Sequence, residues 1–178
     1  MPRVEVGPLH VLPHCISVTM IKMSSLLSVD VGIKTGLALY GQDGRLCWCR
    51  SKNYGSSARL KRDIHSLMDN MSNLLLIVLE GGGTLAIPWE REAAKRNVPV
   101  KRVQAEQWRP KFLYPREQLK GLKAKQYADG IARKIIAWSG LPRPTSLRHD
   151  AAEAVLIGMW AVIDAGWLKD LPREIRRS

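Results

Sequence analysis

Acidic residues are in short supply in this chain. Sixteen Asp and Glu stand against 28 Lys and Arg, a formal charge of +12 at pH 7 and a pI near 10.0. An excess of that size points to a polyanionic partner, either nucleic acid or an anionic membrane surface, and charge alone does not choose between them. Cysteine is scarce as well. Cys15, Cys47 and Cys49 supply no metal framework, and Cys47 and Cys49 read as half-buried thiols of a strand-like run. An odd count with no secretion signal indicates a reducing compartment. No hydrophobic run spans a bilayer, because residues 74–79 fall far short of the ~20 needed. The N-terminus has neither the basic region nor the long apolar segment of a signal peptide. There is no internal repeat and no low-complexity linker, so the 178 residues are most simply one domain with a substantial core.

Among the few acids, Asp30 stands out. It sits in an apolar run with Leu27, Val29 and Val31, followed by a turn bounded by Gly32 and Gly36 and a second strand to Gly41. A carboxylate in such a run is costly to desolvate, so it needs a cation, a donor cluster or a metal. After the turn signal Gln42-Asp43-Gly44, residues 45–51 make a third strand, completing an antiparallel meander. Ser56 or Ser57 caps a helix to about residue 70, with Leu60, Ile64, Leu67, Met68 and Met71 on one face. Residues 74–80 read as a strand buried on both faces and ending in Glu80. A helix over 88–96, a strand over 99–103, an irregular basic stretch, and helices over 124–138 and 149–165 follow. Met1 to Lys22 has weak periodicity, with Pro8 and Pro13 breaking it. The expected division is a poorly structured extension over 1–23, one folded domain over 24–168 and a basic tail over 169–178.

A meander followed by right-handed crossovers places the first and fourth strands side by side and parallel. Ligands then collect beyond the carboxyl ends of the strands, where Asp30 and Glu80 both lie. The last helix adds Asp150 and Glu153, which share a face at i and i+3. That spacing is also a helix capping box, which requires no function. Taken together, however, four acids on three elements repel one another unless cations neutralise them. Hard oxygen donors without matching histidines favour Mg²⁺ or Mn²⁺ over zinc. A pair of such ions about 3.5–4 Å apart suits phosphodiester hydrolysis. In that reading Asp30 bridges, Glu80 holds one ion, Asp150 and Glu153 hold the other, and His149 orients water or contacts a phosphate.

These residues carry a resemblance. Asp30-Val-Gly32 with Thr35-Gly36-Leu-Ala38, then Ile77-Val-Leu-Glu80, then His149-Asp150-Ala-Ala-Glu153 resemble the ribonuclease H-like Holliday junction resolvases of the RuvC type. The basic stretch around Gln107-Trp108-Arg109-Pro-Lys111 and Gly121-Leu-Lys123-Ala-Lys125 is similar to the corresponding segment of phage and bacterial members. The resemblance implies an α/β fold, a ribonuclease H-like mixed five-stranded sheet flanked by helices. It also implies a homodimeric, Mg²⁺-dependent endonuclease that nicks four-way DNA junctions in a bacterial or phage-infected cytoplasm, with no membrane partner. The family's acidic positions fall on Asp30, Glu80, Asp150 and Glu153, with Glu153 standing where bacterial members usually have Asp. Some members use His at the third position, which leaves open how His149 and Asp150 divide their roles.

Between residues 91 and 125 cations far outnumber acids, which suits a phosphate-tracking surface. Lys34, Arg109, Lys111, Lys120, Lys123 and Lys125 are the expected nucleic-acid contacts, with Trp108, Phe112 and Tyr114 either stacking on bases or packing in the core. Three other readings remain at this point: a ribosomal RNA-processing nuclease of the YqgF type, an actin-like ATPase, and a catalytically silent junction-binding protein.

Overall fold

Leucine- and valine-rich runs of six to eight residues with short turns between them pair locally, and the first three do so here. In the computed structural model, which describes residues 24–71, 73–113 and 122–176 (side chains of the last span from 125), β1 is Ser25–Asp30, β2 Lys34–Gly41 and β3 Leu46–Asn53. They are followed by α1 (Ser57–Asp69), β4 (Leu74–Glu80), a 3₁₀ turn (Gly83–Leu85), α2 (Ile87–Lys95) and β5 (Val100–Val103). Helices α3 (Ala105–Phe112), α4 (Leu122–Trp138) and α5 (His149–Asp164) complete the chain. The sheet order is β3-β2-β1-β4-β5. The β1–β2 and β2–β3 pairs are antiparallel, and β4 and β5 add on in parallel. This is the expected mixed five-stranded sheet, with helices on both faces.

One face packs under α1 and α2 around Leu27, Val29, Ile77, Leu79, Leu60, Ile64 and Trp89. The other packs under α3, α4 and α5 around Leu26, Val78, Val103, Trp108 and Ile135. The alternation of strand side chains assigns these faces without further help. Ser56 caps α1 by accepting from the Arg59 amide at 3.3 Å, as expected, and Leu60, Ile64 and Met68 form its buried stripe. β4 is buried on both faces only in part, since Leu75 is 48% exposed near the strand's start.

Helix α5 is apolar almost all round because it lies between the sheet and α4, and ten of its residues are buried. It sits close to the strands at places where the sequence has small side chains. Ser28 Oγ donates to the Ala154 carbonyl at 2.7 Å and Tyr40 Oη to that of Val155 at 2.6 Å. Gly158 leaves room for the Tyr40 ring.

The irregular basic stretch is corrected in one respect: its first part is the helix α3. Gln104 and Gln107 form a reciprocal capping box, and Trp108 and Phe112 are buried in the core. Glutamine is an uncommon cap, and Pro110 reads as a breaker because it removes one helical hydrogen bond. Core burial of two large aromatics outweighs that loss. Residues 169–176 turn back over this region, where Ile175 is buried and Asp170 takes Lys111 at 2.7 Å.

Helices α1 and α2 are clasped by a buried carboxylate. Glu92 accepts from His65 at 2.7 Å, from Lys95 at 2.9 Å and from Arg96, which also reaches Asp69. The His65 hydrogen bond first, then those from Lys95 and Arg96, pull its pKa down to about 2 against the opposing effect of burial. A carboxylate held below its unfolded value contributes stability above about pH 4.5, and this is lost as pH falls towards 2. Glu92→Gln is therefore expected to cost roughly 1–2 kcal/mol at pH 7, limited by the exposure of Lys95 and His65. The difference should shrink at pH 3, as measured by urea unfolding at both pH values.

Candidate active site

The site is organised by one row across the sheet. Strand pairing puts Ser51, Gly36, Asp30, Glu80 and Val103 side by side on β3, β2, β1, β4 and β5. Laterally paired residues share a face, and Ser28 and Val78, two positions before Asp30 and Glu80, face α5. Asp30 and Glu80 therefore end their strands on the α5 side, about one strand spacing apart, ~4.8 Å. Val31 extends the pairing by donating its amide to the Glu80 carbonyl at 3.0 Å.

The first turn of α5 lies over the same row. Gly36 admits it, since a Cβ there would stand 1.8 Å from the Asp150 carbonyl oxygen. Ser51 Oγ donates to Asp150 Oδ2 at 2.5 Å. One turn on, Glu153 is 14% exposed, with Arg109 Nη2 of α3 at 3.0 Å and His149 Nε2 at 3.5 Å. The capping-box alternative is not what is built. Arg148 is the N-cap, no side chain caps the helix, and both acids bond to other elements.

Burial pushes the Asp30 carboxyl up to about 8, with Glu153, Glu80, a hydrogen bond to Glu80 and Asp150 adding to it. Glu80 is raised too, by burial and by Glu153, against the pull of Arg109. Among the described residues no cation lies between the Asp30 and Glu80 carboxylates, and burial with the repulsion of neighbouring acids favours their protonated forms. The donors are hard carboxylate oxygens carrying uncompensated charge, which fits Mg²⁺ or Mn²⁺. The arrangement is open. Among the described residues no three His, Cys, Asp or Glu side chains are grouped closely enough to hold an ion. Asp30 and Glu80 form its nucleus, Glu153 faces them while tethered to Arg109 and His149, and Asp150 stands at the margin on Ser51. A larger cavity of about 760 Å³, between α1 and the outer strands, holds none of these four acids.

Of the expected nucleic-acid contacts, Lys34 and Lys125 are exposed near the first turn of α5. Arg109 is turned inward onto Glu153, and Lys111 pairs at the surface with Asp170. Lys120 and Tyr114 lie outside the described residues, as does the side chain of Lys123 on α4. Trp108 and Phe112 are core residues and not stacking platforms. Sequence reasoning missed Ser51 as the partner of Asp150. Its one signal is its register opposite Gly36, a position with no side chain to separate it from the acids.

No protein-family model matches the chain, and no curated protein matches it. Among solved structures it is similar to the yeast mitochondrial Holliday junction resolvase Ydc2, with 10% identity and a TM-score of 0.48 over 83% of this chain and 82% of that one. It is also similar to the catalytic core domain of BIV integrase, with 12% identity and a TM-score of 0.34 over 74% and 80%. Likenesses this distant transfer no chemistry, and the acid row has to speak for itself.

Proposed function

We propose that this chain is a divalent-metal-dependent endonuclease of the RuvC type that nicks branched DNA, four-way junctions above all. The observation that carries the reading is the buried pair Asp30–Glu80, in register on adjacent parallel strands and faced by Glu153, on a protein of charge +12. An ion bound there supplies Lewis-acid charge to the phosphodiester and lowers the pKa of water. Asp30 and Glu80 would hold it from the sheet, with Glu153 and Asp150 approaching from α5. Arg109 holds the Glu153 carboxylate in place through its guanidinium. His149, next to Glu153, would orient the attacking water, whose oxygen bonds to phosphorus as the P–O bond to the leaving strand breaks, the water giving up a proton to solvent and the leaving oxygen taking one from it. Basic side chains around the row draw in the backbone, so binding weakens steeply with salt. As a homodimer, the protein would place two such rows on one junction and cut symmetrically.

The test is a panel of four-way junction, fork, duplex and single-stranded RNA with Mg²⁺, Mn²⁺ or EDTA. The expected result is metal-dependent nicking of the junction at least ~10-fold faster than of duplex, a preference worth about 1.4 kcal/mol. Preferential cutting of RNA would favour the RNA-processing reading. Junction binding with no cleavage in either metal would favour the silent one.

A further inference from the structure

Next to the acid row is a second feature that it does not use. A cavity of about 400 Å³ is lined, among the described residues, by Lys34, Lys125, Arg148, His149 and Asp150. Its size is at the lower end of small-ligand sites, ~300–1,000 Å³. The three cations come from different places: the start of β2, helix α4, and the residue before α5. Arg133, Lys101, Lys111 and Arg109 are each engaged by a carboxylate. The side chains of Lys34, Lys125 and Arg148 make no ion pair or hydrogen bond among the described residues. Asp150, the one acid in the lining, has its Oδ2 turned to Ser51. Three cations against one carboxylate leave the notch with excess positive charge, which a bound anion would offset. A guanidinium fork with two ammonium groups suits a phosphate's oxygens.

Asp150 borders both the notch and the acid row, so an anion in the notch lies beside the bond to be cut and not on it. We propose that the notch of Lys34, Lys125 and Arg148 seats a backbone phosphate neighbouring the scissile one, and so sets which bond of the strand reaches Asp30 and Glu80. Arg148 is the positioning residue, because its planar fork fixes direction where the two lysines add only charge. This assignment rests on the nuclease reading above and deepens it.

Four-way junctions carrying a single neutral methylphosphonate at each position around the nick test it. With the wild-type protein, one non-scissile position is expected to raise KM about 10-fold with kcat within about twofold, the loss of one charged contact. Arg148→Gln should show the same KM defect on unmodified DNA, a salt slope shallower by about one, and no further loss at that position. Arg148→Lys should recover the salt slope but not the positional preference. In parallel, inorganic phosphate titrated into the full chain should shift the backbone amide resonances of residues 148–152 in wild type and not in Arg148→Gln. A kcat defect without a KM defect, or equal sensitivity to every methylphosphonate position, overturns the proposal, and so does an absence of phosphate shifts in wild type. Phosphate shifts in a protein that cuts no branched DNA would instead remove the nuclease reading, leaving an anion site that serves another substrate.

Discussion

Asp30→Asn is expected to lower Mg²⁺-dependent nicking of a four-way junction by about 10³-fold or more, since it removes a charged ligand where metal chemistry supplies several kcal/mol. Junction affinity measured in EDTA should stay within about twofold of wild type, because phosphate contacts elsewhere dominate binding. A readout besides activity separates loss of the ion from loss of the fold. Mn²⁺ should raise the Tm of wild type and leave that of Asp30→Asn unchanged. The metal-free proteins should differ in the opposite direction. The Asp30 carboxyl is raised from its ordinary 3.8 to about 8, by burial first and then by its acidic neighbours. A group whose folded pKa lies above its unfolded one binds its proton more tightly when folded, so its contribution is present at low pH and is lost as pH rises through 8. Asparagine has no proton to lose. Without metal, Asp30→Asn should therefore gain on wild type in Tm between pH 5 and 9. Wild-type rates of nicking by the mutant would remove Asp30 from the site, and a mutant that loses ground as pH rises would remove the repulsion account.

Gly36→Ala is expected to damage both the fold and the site. An added Cβ would lie 1.8 Å from the Asp150 carbonyl oxygen, 2.3 Å from its carbon and 3.0 Å from the Ala151 nitrogen. All three are backbone atoms at the head of a helix packed on the sheet, so no side chain can swing aside. Overpacking a core typically costs 1–3 kcal/mol, and a backbone-on-backbone clash belongs at or above the top of that range, about 3 kcal/mol. In a chain of this size that lowers Tm by roughly 10 °C. Relief requires α5 to lift from β2, which moves Asp150 away from Ser51 and alters the approach of Glu153. Nicking should fall even where the mutant is folded. Gly130→Ala is the control. It lies in α4 with nothing within 4 Å of the added carbon, so it should stabilise by up to about 1 kcal/mol through helix propensity. Equal Tm values for Gly36→Ala and wild type would show that α5 does not press on β2 as described.

Much of this arrangement was legible in the order of the residues. Apolar runs with a period of two, separated by glycine-marked turns, define the meander, and a run ending in Glu80 after a helix defines the parallel neighbour. Those two strands pair in parallel, and once a one-residue shift after Ser25 and Leu74 has set Leu26 opposite Leu76, the ladder advances both chains equally and Asp30 and Glu80 end level. Helix α3 was not legible, since its Gln104 cap and Pro110 argue locally against the helix that Trp108 and Phe112 stabilise from the core.

By itself, then, the sequence determined the five strands, their directions, the acid pair at the carboxyl edge and the basic character around it, since all of these follow from local periodicity, chain order and composition. Only the tertiary structure decided which charges meet. Arg109 finds Glu153 across 44 residues, and Ser51 finds Asp150 across 99. Those pairings depend on how closely α5 approaches the sheet, and that distance is set by the missing side chains of Gly36 and Gly158 and by Ser28 and Tyr40 bonding to helix carbonyls. Such contacts have no sequence period, because they join surfaces that exist only once the layers have packed.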